Sequence, residues 1–104
     1  LREALGDELD SIVCLYVQDL PSHTQTLLDL WAQRDLATLR RSAHSLKGSS
    51  VSMGAVLLGA RAAEIEKLAA TGETSDALAS AVGSVQALAS DTAAAFIESG
   101  WVSP

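Results

Sequence analysis

Residues 36–50 read LATLRRSAHSLKGSS, and their apolar and small side chains recur every three or four positions. The recurring residues are Leu36, Leu39, Ala43, Leu46 and Ser50. Because an α-helix completes a turn every 3.6 residues, this spacing predicts a helix with one core-facing side. Asp35 precedes the pattern and is a residue type that caps helices, so we expect this helix to run from that cap to about residue 51.

The segment before it carries a similar stripe that runs through a proline. Its members are Leu9, Ile12, Tyr16, Leu20, Leu27 and Trp31, widened by Val13 and Leu28. Proline inside a helix removes a hydrogen bond and crowds the preceding turn. Because the stripe keeps its phase across Pro21, we predict one long helix over about 7–33, bent near Pro21.

Two further stripes follow the 36–50 segment. The third comprises Leu57, Leu58, Arg61 or Ala62, Ile65 and Leu68, and ends at Gly72 as a C-terminal cap. The fourth, which Thr74 or Ser75 would cap, comprises Leu78, Val82, Val85, Ala89, Thr92 and Phe96, and Gly100 would end it. Four amphipathic helices joined by short loops predict an all-α fold, an antiparallel up-down-up-down four-helix bundle formed as a single domain by residues 1–104.

Composition limits the classes of function. The 104 residues include one cysteine and two histidines, and the net charge is −6. An acidic chain is a poor ligand for nucleic acid, and these residues offer no spacing for a zinc site. No apolar run of about 20 residues and no signal peptide is evident, so we expect a cytoplasmic monomer without membrane contact, metal or cofactor of its own.

The exception to this acidity is the stretch between Asp35 and Glu64, which contains Arg40, Arg41, Lys47 and Arg61 but no acid. Within it, Ala43 and Leu46 would face the core and turn His44 about 100° away, toward solvent. Lys47 and Gly48 follow His44 by three and four positions and would share its face. These residues are the candidate site.

The chemistry of that face suits phosphoryl transfer. Neutral imidazole is a nucleophile, and Lys47 would pair with the oxygens of a phosphoryl group bound to His44. Gly48 costs a helix about 1 kcal/mol relative to alanine, which suggests that a partner approaches closely there. The alternative from geometry alone is an ordinary solvated polar face. An ATP site is not expected, because Gly54 and Gly59 have the glycine spacing of a phosphate-binding loop without the Lys-Ser/Thr that follows it.

The run Ala43-His44-Ser45-Leu46-Lys47-Gly48-Ser49 resembles the signature of histidine-containing phosphotransfer (HPt) domains. The resemblance extends over about residues 9–70, including Asp35, Met53-Gly54-Ala55 and Ile65-Glu66. It implies that His44 is the phosphoacceptor, Lys47 the charge partner of the phosphoryl group, and Gly48 the small residue beneath the docked partner. Some members also use a glutamine near the histidine, but the third helix contains none.

The resemblance further implies a phosphorelay intermediate without kinase activity of its own. Its partners would be response-regulator receiver domains, such as that of a hybrid sensor kinase, which supply Mg²⁺. We expect Arg40, Arg41 and Val51 to contact the receiver, with Leu20 and His23 as secondary candidates. The residue at position 1 is not methionine, so we expect a domain excised from, or C-terminal in, a larger signalling protein.

Two alternatives stay open at the level of the sequence. The first is a helical adaptor in which His44 is never phosphorylated. The second is the substrate domain of a chemotaxis-type kinase, which an ATP-binding domain phosphorylates directly.

Overall fold

The computed structural model describes the backbone of residues 2–98 and the side chains of residues 12–98. This part of the chain forms four α-helices and no strand: α1 (Arg2–Ala32), α2 (Leu36–Ser52), α3 (Val56–Ala69) and α4 (Asp76–Glu98). Each helix packs on the next and α1 packs on α4, whereas α2 and α4 make no contact. The prediction of a four-helix bundle is therefore confirmed, with α2 and α4 diagonally opposite.

The first helix is a single element that continues through Pro21, as predicted. It begins at Arg2, five residues earlier than expected, because the stripe used to place its start begins only at Leu9. Arginine, glutamate, alanine and leucine at positions 2–5 are all good helix formers and extend it. The bend at Pro21 stays a prediction.

Local signals in the sequence set the other helix ends. The Asp35 carboxylate accepts a hydrogen bond from the Thr38 backbone N–H at 3.2 Å, and the Ser75 hydroxyl accepts one from the Leu78 N–H at 3.1 Å. Gly54 and Gly72 adopt φ of 77° and 75°, a conformation that glycine tolerates, and they turn the chain after α2 and α3. The predicted stop at Gly100 lies outside the described residues.

Among residues 12–98, two apolar side chains of the predicted stripes do not join the core. Ile12 is 51% exposed and Leu57 is 73% exposed, whereas Val13 and Leu58 beside them are buried. The buried face of α3 contains Leu58, Ala62 and Ile65, which are spaced by four and three residues, and Leu57 lies about 100° away from it. Ala62, and not Arg61, is thus the core residue at that step.

A buried hydrogen bond ties α1 to α2 near the turn after α2. The Tyr16 hydroxyl lies 2.8 Å from the Ser50 hydroxyl, and the Tyr16 ring meets Phe96 edge-on. Burial raises the pKa of Tyr16, although the bond to Ser50 opposes this effect. Because the folded chain holds the phenol in its neutral form, stability should fall as the pH rises above about 10 through this raised pKa.

We predict that Tyr16→Phe lowers the free energy of unfolding by about 1–3 kcal/mol, because it leaves the Ser50 hydroxyl buried without its partner. The double variant Tyr16→Phe/Ser50→Ala should lose less than the sum of the two single variants, since neither unsatisfied group remains. Urea unfolding of the four proteins measures this difference. Additive losses would contradict it.

Candidate functional site

His44 projects from the middle of α2 into solvent. Its neighbours Ala43 and Leu46 are fully buried, and they anchor this part of α2 on the core. The side chain of His44 is 66% exposed. This geometry agrees with the orientation that the stripe of α2 predicts for the imidazole.

The carboxylate of Glu66, on α3, joins His44 to Lys47. Its Oε2 lies 2.7 Å from His44 Nδ1, and its Oε1 lies 2.8 Å from Lys47 Nζ. The Glu66 side chain is 24% exposed and that of Lys47 is 34% exposed, so both are more buried than the imidazole of His44. Glu66 belongs to the resemblance through Ile65-Glu66 but has no predicted role at the site, and the structure places it at the centre.

The contact with Glu66 determines which imidazole nitrogen can react. An ionised carboxylate only accepts hydrogen bonds, so Nδ1 must carry the ring proton and donate a hydrogen bond to Oε2. In a neutral imidazole the lone pair available for bonding is then on Nε2. The arrangement therefore provides a nucleophilic nitrogen on a side chain that is two-thirds exposed.

Lys47 and His44 stabilise the negative charge of the Glu66 carboxylate. The hydrogen bond from Lys47 is the largest cause that lowers the pKa of the Glu66 carboxyl. Burial opposes it, and the hydrogen bond and charge of His44 lower the pKa further. A carboxyl whose pKa is lowered in the folded state stabilises the fold at pH values above its pKa in the unfolded chain. This stabilisation is lost as the pH falls through the lowered pKa. Glu66 is thus an anion near neutral pH.

Gly48 and Val51 lie farther along the face of α2 that carries His44. A Cβ at Gly48 would meet no atom within 4 Å, so the packing of the domain itself does not require glycine there. Val51 is 65% exposed, and its Cγ2 lies 3.2 Å from the position that a Cβ on Gly59 of α3 would occupy. Val51 therefore covers Gly59 and presents an apolar surface to solvent.

The basic residues of this stretch do not form one patch. Arg40 and Arg41 are exposed one turn before His44, and Arg41 donates a hydrogen bond to the Thr38 hydroxyl at 3.4 Å. Arg61 instead contacts Ser84 on α4 and pairs with Glu64 at 3.3 Å. The unneutralised charge beside His44 therefore comes from Arg40 and Arg41, since Lys47 pairs with Glu66.

A groove of about 370 Å³ lies between the surfaces of α1 and α2, on the side of His44 opposite to α3. Ile12 and Asp19 line its α1 side, and Ser45 and Ser49 line its α2 side. Next to Ile12 on α1, Leu15 is 59% exposed. These two apolar side chains are a surface that the sequence analysis missed.

Neither secondary docking candidate is fully exposed. Leu20 is 1% exposed and belongs to the core, because it faces the bundle axis with Val13 and Leu27. His23 is partly buried, and its Nε2 lies 3.1 Å from the Ser42 carbonyl oxygen, which can only accept a hydrogen bond. His23 therefore joins α1 to α2.

Over the described residues, no group of histidine, cysteine and acidic side chains could hold a metal ion. In the same part of the chain no helix combines the length and the hydropathy needed to span a bilayer. Residues 11–95 match the family model described as Hpt domain. No curated protein and no solved structure matches the chain.

Proposed function

The chain belongs to the Hpt domain family, and from this membership we propose that His44 takes a phosphoryl group from the phospho-aspartate of one receiver domain and passes it to the aspartate of another. The family has a phosphotransfer role in two-component signalling. The observation that carries the proposal for His44 is the Nδ1–Glu66 contact, which leaves the lone pair on the exposed Nε2. Lys47 and Gly48 complete the site.

The transfer consists of one bond made and one bond broken. The Nε2 lone pair of His44 attacks phosphorus, and the P–O bond to the receiver aspartate breaks, with its electron pair leaving on the aspartate carboxylate. The imidazole keeps its proton on Nδ1 and becomes cationic, as the histidine of a serine protease does when a carboxylate supports it. The Glu66 carboxylate, 2.7 Å away, stabilises that charge. We expect the receiver to supply the Mg²⁺ that binds its aspartate.

We propose that the receiver docks across α2 and reaches the helices on either side. Val51 would meet it on the side of α3, and Ile12 and Leu15 on the side of α1. All three side chains are more than half exposed, and apolar contacts of this kind form the centre of many protein interfaces. We further propose that the domain acts as a cytoplasmic monomer and hydrolyses no ATP.

Arg40 and Arg41 should steer the receiver rather than take part in the transfer. We predict that Arg40→Gln/Arg41→Gln slows transfer about 10-fold at low salt, and that the difference shrinks as salt screens the charges. The control Ser80→Glu/Ala87→Glu changes the net charge equally on exposed positions of α4, diagonally opposite α2. Equal rates for the Arg variant and the wild type at every salt concentration would contradict steering.

The test of the proposed function is label transfer from a panel of radiolabelled phospho-receivers. Wild type and His23→Gln should both take the label, and His44→Gln should not. The label should survive base and be lost in acid, as a phosphohistidine requires.

Each alternative has its own outcome in this experiment. Label on His44→Gln would place the acceptor elsewhere. If no receiver labels the wild type but a chemotaxis-type kinase domain with ATP does, the domain is a kinase substrate. If neither labels it, the adaptor is favoured.

A further inference from the structure

Both oxygens of the Glu66 carboxylate are occupied, one by an imidazole N–H and one by an ammonium. With a neutral imidazole, Lys47 is the only full positive charge among these three side chains. It balances Glu66 at 2.8 Å. The ammonium that would neutralise a phosphoryl group on His44 is therefore already paired before the transfer.

The transfer changes this balance in two places at once. The proposed attack puts a positive charge on the imidazole ring, against Glu66 Oε2, and brings a phosphoryl group with two negative charges to Nε2. Glu66 then has a cation beside it whether or not Lys47 stays. Of these three side chains, only Lys47 can supply a cation to the phosphoryl group, and it must leave Glu66 to do so.

We propose that Lys47 changes partners when His44 is phosphorylated: its ammonium leaves Glu66 Oε1 for the phosphoryl oxygens, while Glu66 keeps the cationic imidazole. The exchange rests on the proposed function. It makes Glu66 a positioning residue that holds both the proton on Nδ1 and the ammonium of Lys47 in the resting state.

The geometry allows this movement without a change in the helices. Lys47 follows His44 by three residues, which places the two Cβ atoms about 5–6 Å apart on one face of α2. A lysine ammonium is a point charge on a flexible four-carbon stem, so it can reorient by rotamer changes alone. The Lys47 side chain is 34% exposed and is not fixed by burial.

The exchange places a cation beside each anion in both states, and the phosphoryl dianion keeps one negative charge in excess. In the resting state the ammonium faces the carboxylate, and in the phosphorylated state each anion has its own cation. Release of the phosphoryl group to a second receiver returns the ring to neutral, and Lys47 then returns to Glu66. His44 can therefore lose its phosphoryl group without leaving Lys47 or Glu66 unpaired.

The chain contains only two lysines, Lys47 and Lys67, so Lys67 is an internal reference. The full chain is labelled with lysine enriched in ¹³C at Cε, and NMR spectra are recorded before and after treatment with phosphoramidate. Phosphorus NMR verifies the phosphohistidine. We expect the Lys47 resonance to move on phosphorylation and that of Lys67 to stay.

Two variants separate partner exchange from a general effect of phosphorylation. In Glu66→Ala the resting Lys47 resonance should already lie away from the wild-type position, toward that of exposed Lys67. It should then reach the wild-type phosphorylated position after treatment. In treated His44→Gln the Lys47 resonance should not move.

The outcomes distinguish the exchange from the function on which it rests. A phosphohistidine at His44 with an unmoved Lys47 resonance would overturn the exchange and leave the proposed function intact. If neither excess phosphoramidate nor any phospho-receiver forms a phosphohistidine at His44, both proposals are contradicted. A Lys47 resonance that Glu66→Ala leaves unchanged in the resting state would also overturn the exchange.

Discussion

Replacing Glu66 by glutamine should slow phosphoryl acceptance by His44 about 100-fold, and replacing it by alanine only about 10-fold. This order is unusual, because glutamine has nearly the shape of glutamate and alanine removes the group entirely. It follows from the two neighbours of the carboxylate, Lys47 and His44 Nδ1, which lie on separate oxygens.

A glutamine at position 66 has one acceptor and one donor to offer to these neighbours. The Lys47 ammonium can only donate hydrogen bonds, so it attracts the amide oxygen. The amide NH₂ then faces Nδ1 of His44, which must accept, and the ring proton moves to Nε2. That nitrogen is the proposed nucleophile. Alanine loses the support of the imidazole but leaves both tautomers accessible.

Single-turnover transfer from one phospho-receiver measures the rates of the three proteins, and ¹⁵N NMR of the His44 ring reports the tautomer. The ring of Glu66→Gln should carry its proton on Nε2, and that of the wild type on Nδ1. If Glu66→Gln transfers faster than Glu66→Ala, the glutamine presents its oxygen to Nδ1 and Lys47 does not control its orientation.

The periodicity of α2 was sufficient to place His44, Lys47 and Gly48. A stripe of buried residues every three or four positions fixes the angle of every other residue around the same helix axis. His44 is exposed for the same reason that Leu46 is buried. Such predictions concern one helix only, and they need no knowledge of its neighbours.

Predicting that Glu66 lies at the site requires knowing how α2 and α3 pair. His44 and Glu66 each lie eleven positions from Ala55, and the second close pair, Val51 and Gly59, lies four positions from it. Two antiparallel helices joined by a tight turn bring together residues at equal distances from the turn. Placing the turn at Gly54 and Ala55 would therefore have pointed to position 66. The third helix has no glutamine, and the carboxylate of Glu66 accepts the hydrogen bond from His44 Nδ1 instead.

The exposure of Ile12 and Leu57 depended on the exact phase of each stripe. Both lie one position from a buried residue, Val13 or Leu58, and a step of one residue turns a helix by about 100°. A pattern of apolar residues alone does not fix a phase this finely where two apolar residues are adjacent. The angle at which the neighbouring helix packs decides which one is covered.

Gly48→Ala should raise the free energy of unfolding by about 0.5–1 kcal/mol and yet slow phosphoryl transfer. The gain in stability follows from the position of Gly48 inside α2, where a Cβ would meet nothing within 4 Å. Alanine restricts the unfolded chain and favours the helix without a clash. A stabilising change that impairs transfer would indicate that the glycine serves the partner.

The loss of transfer should increase with the size of the side chain. Gly48 lies one turn beyond His44 on the same face, so a side chain there would hold the receiver away from Nε2. Displacement of reacting groups by about 1 Å can cost about 100-fold in rate, and we expect a loss of that order for Gly48→Leu. Alanine, whose side chain is one methyl group, should cost less.

Gly83 provides the matched control. It lies inside α4, it is exposed, and a Cβ on it would also meet nothing within 4 Å. Gly83→Ala should therefore stabilise the domain about as much as Gly48→Ala does, with no effect on transfer, because α4 is diagonal to α2. Urea unfolding and single-turnover transfer on the same preparations separate the two effects. Unchanged transfer by Gly48→Leu would mean that the receiver does not pack over this turn of α2, and the docking geometry proposed around His44 would be wrong.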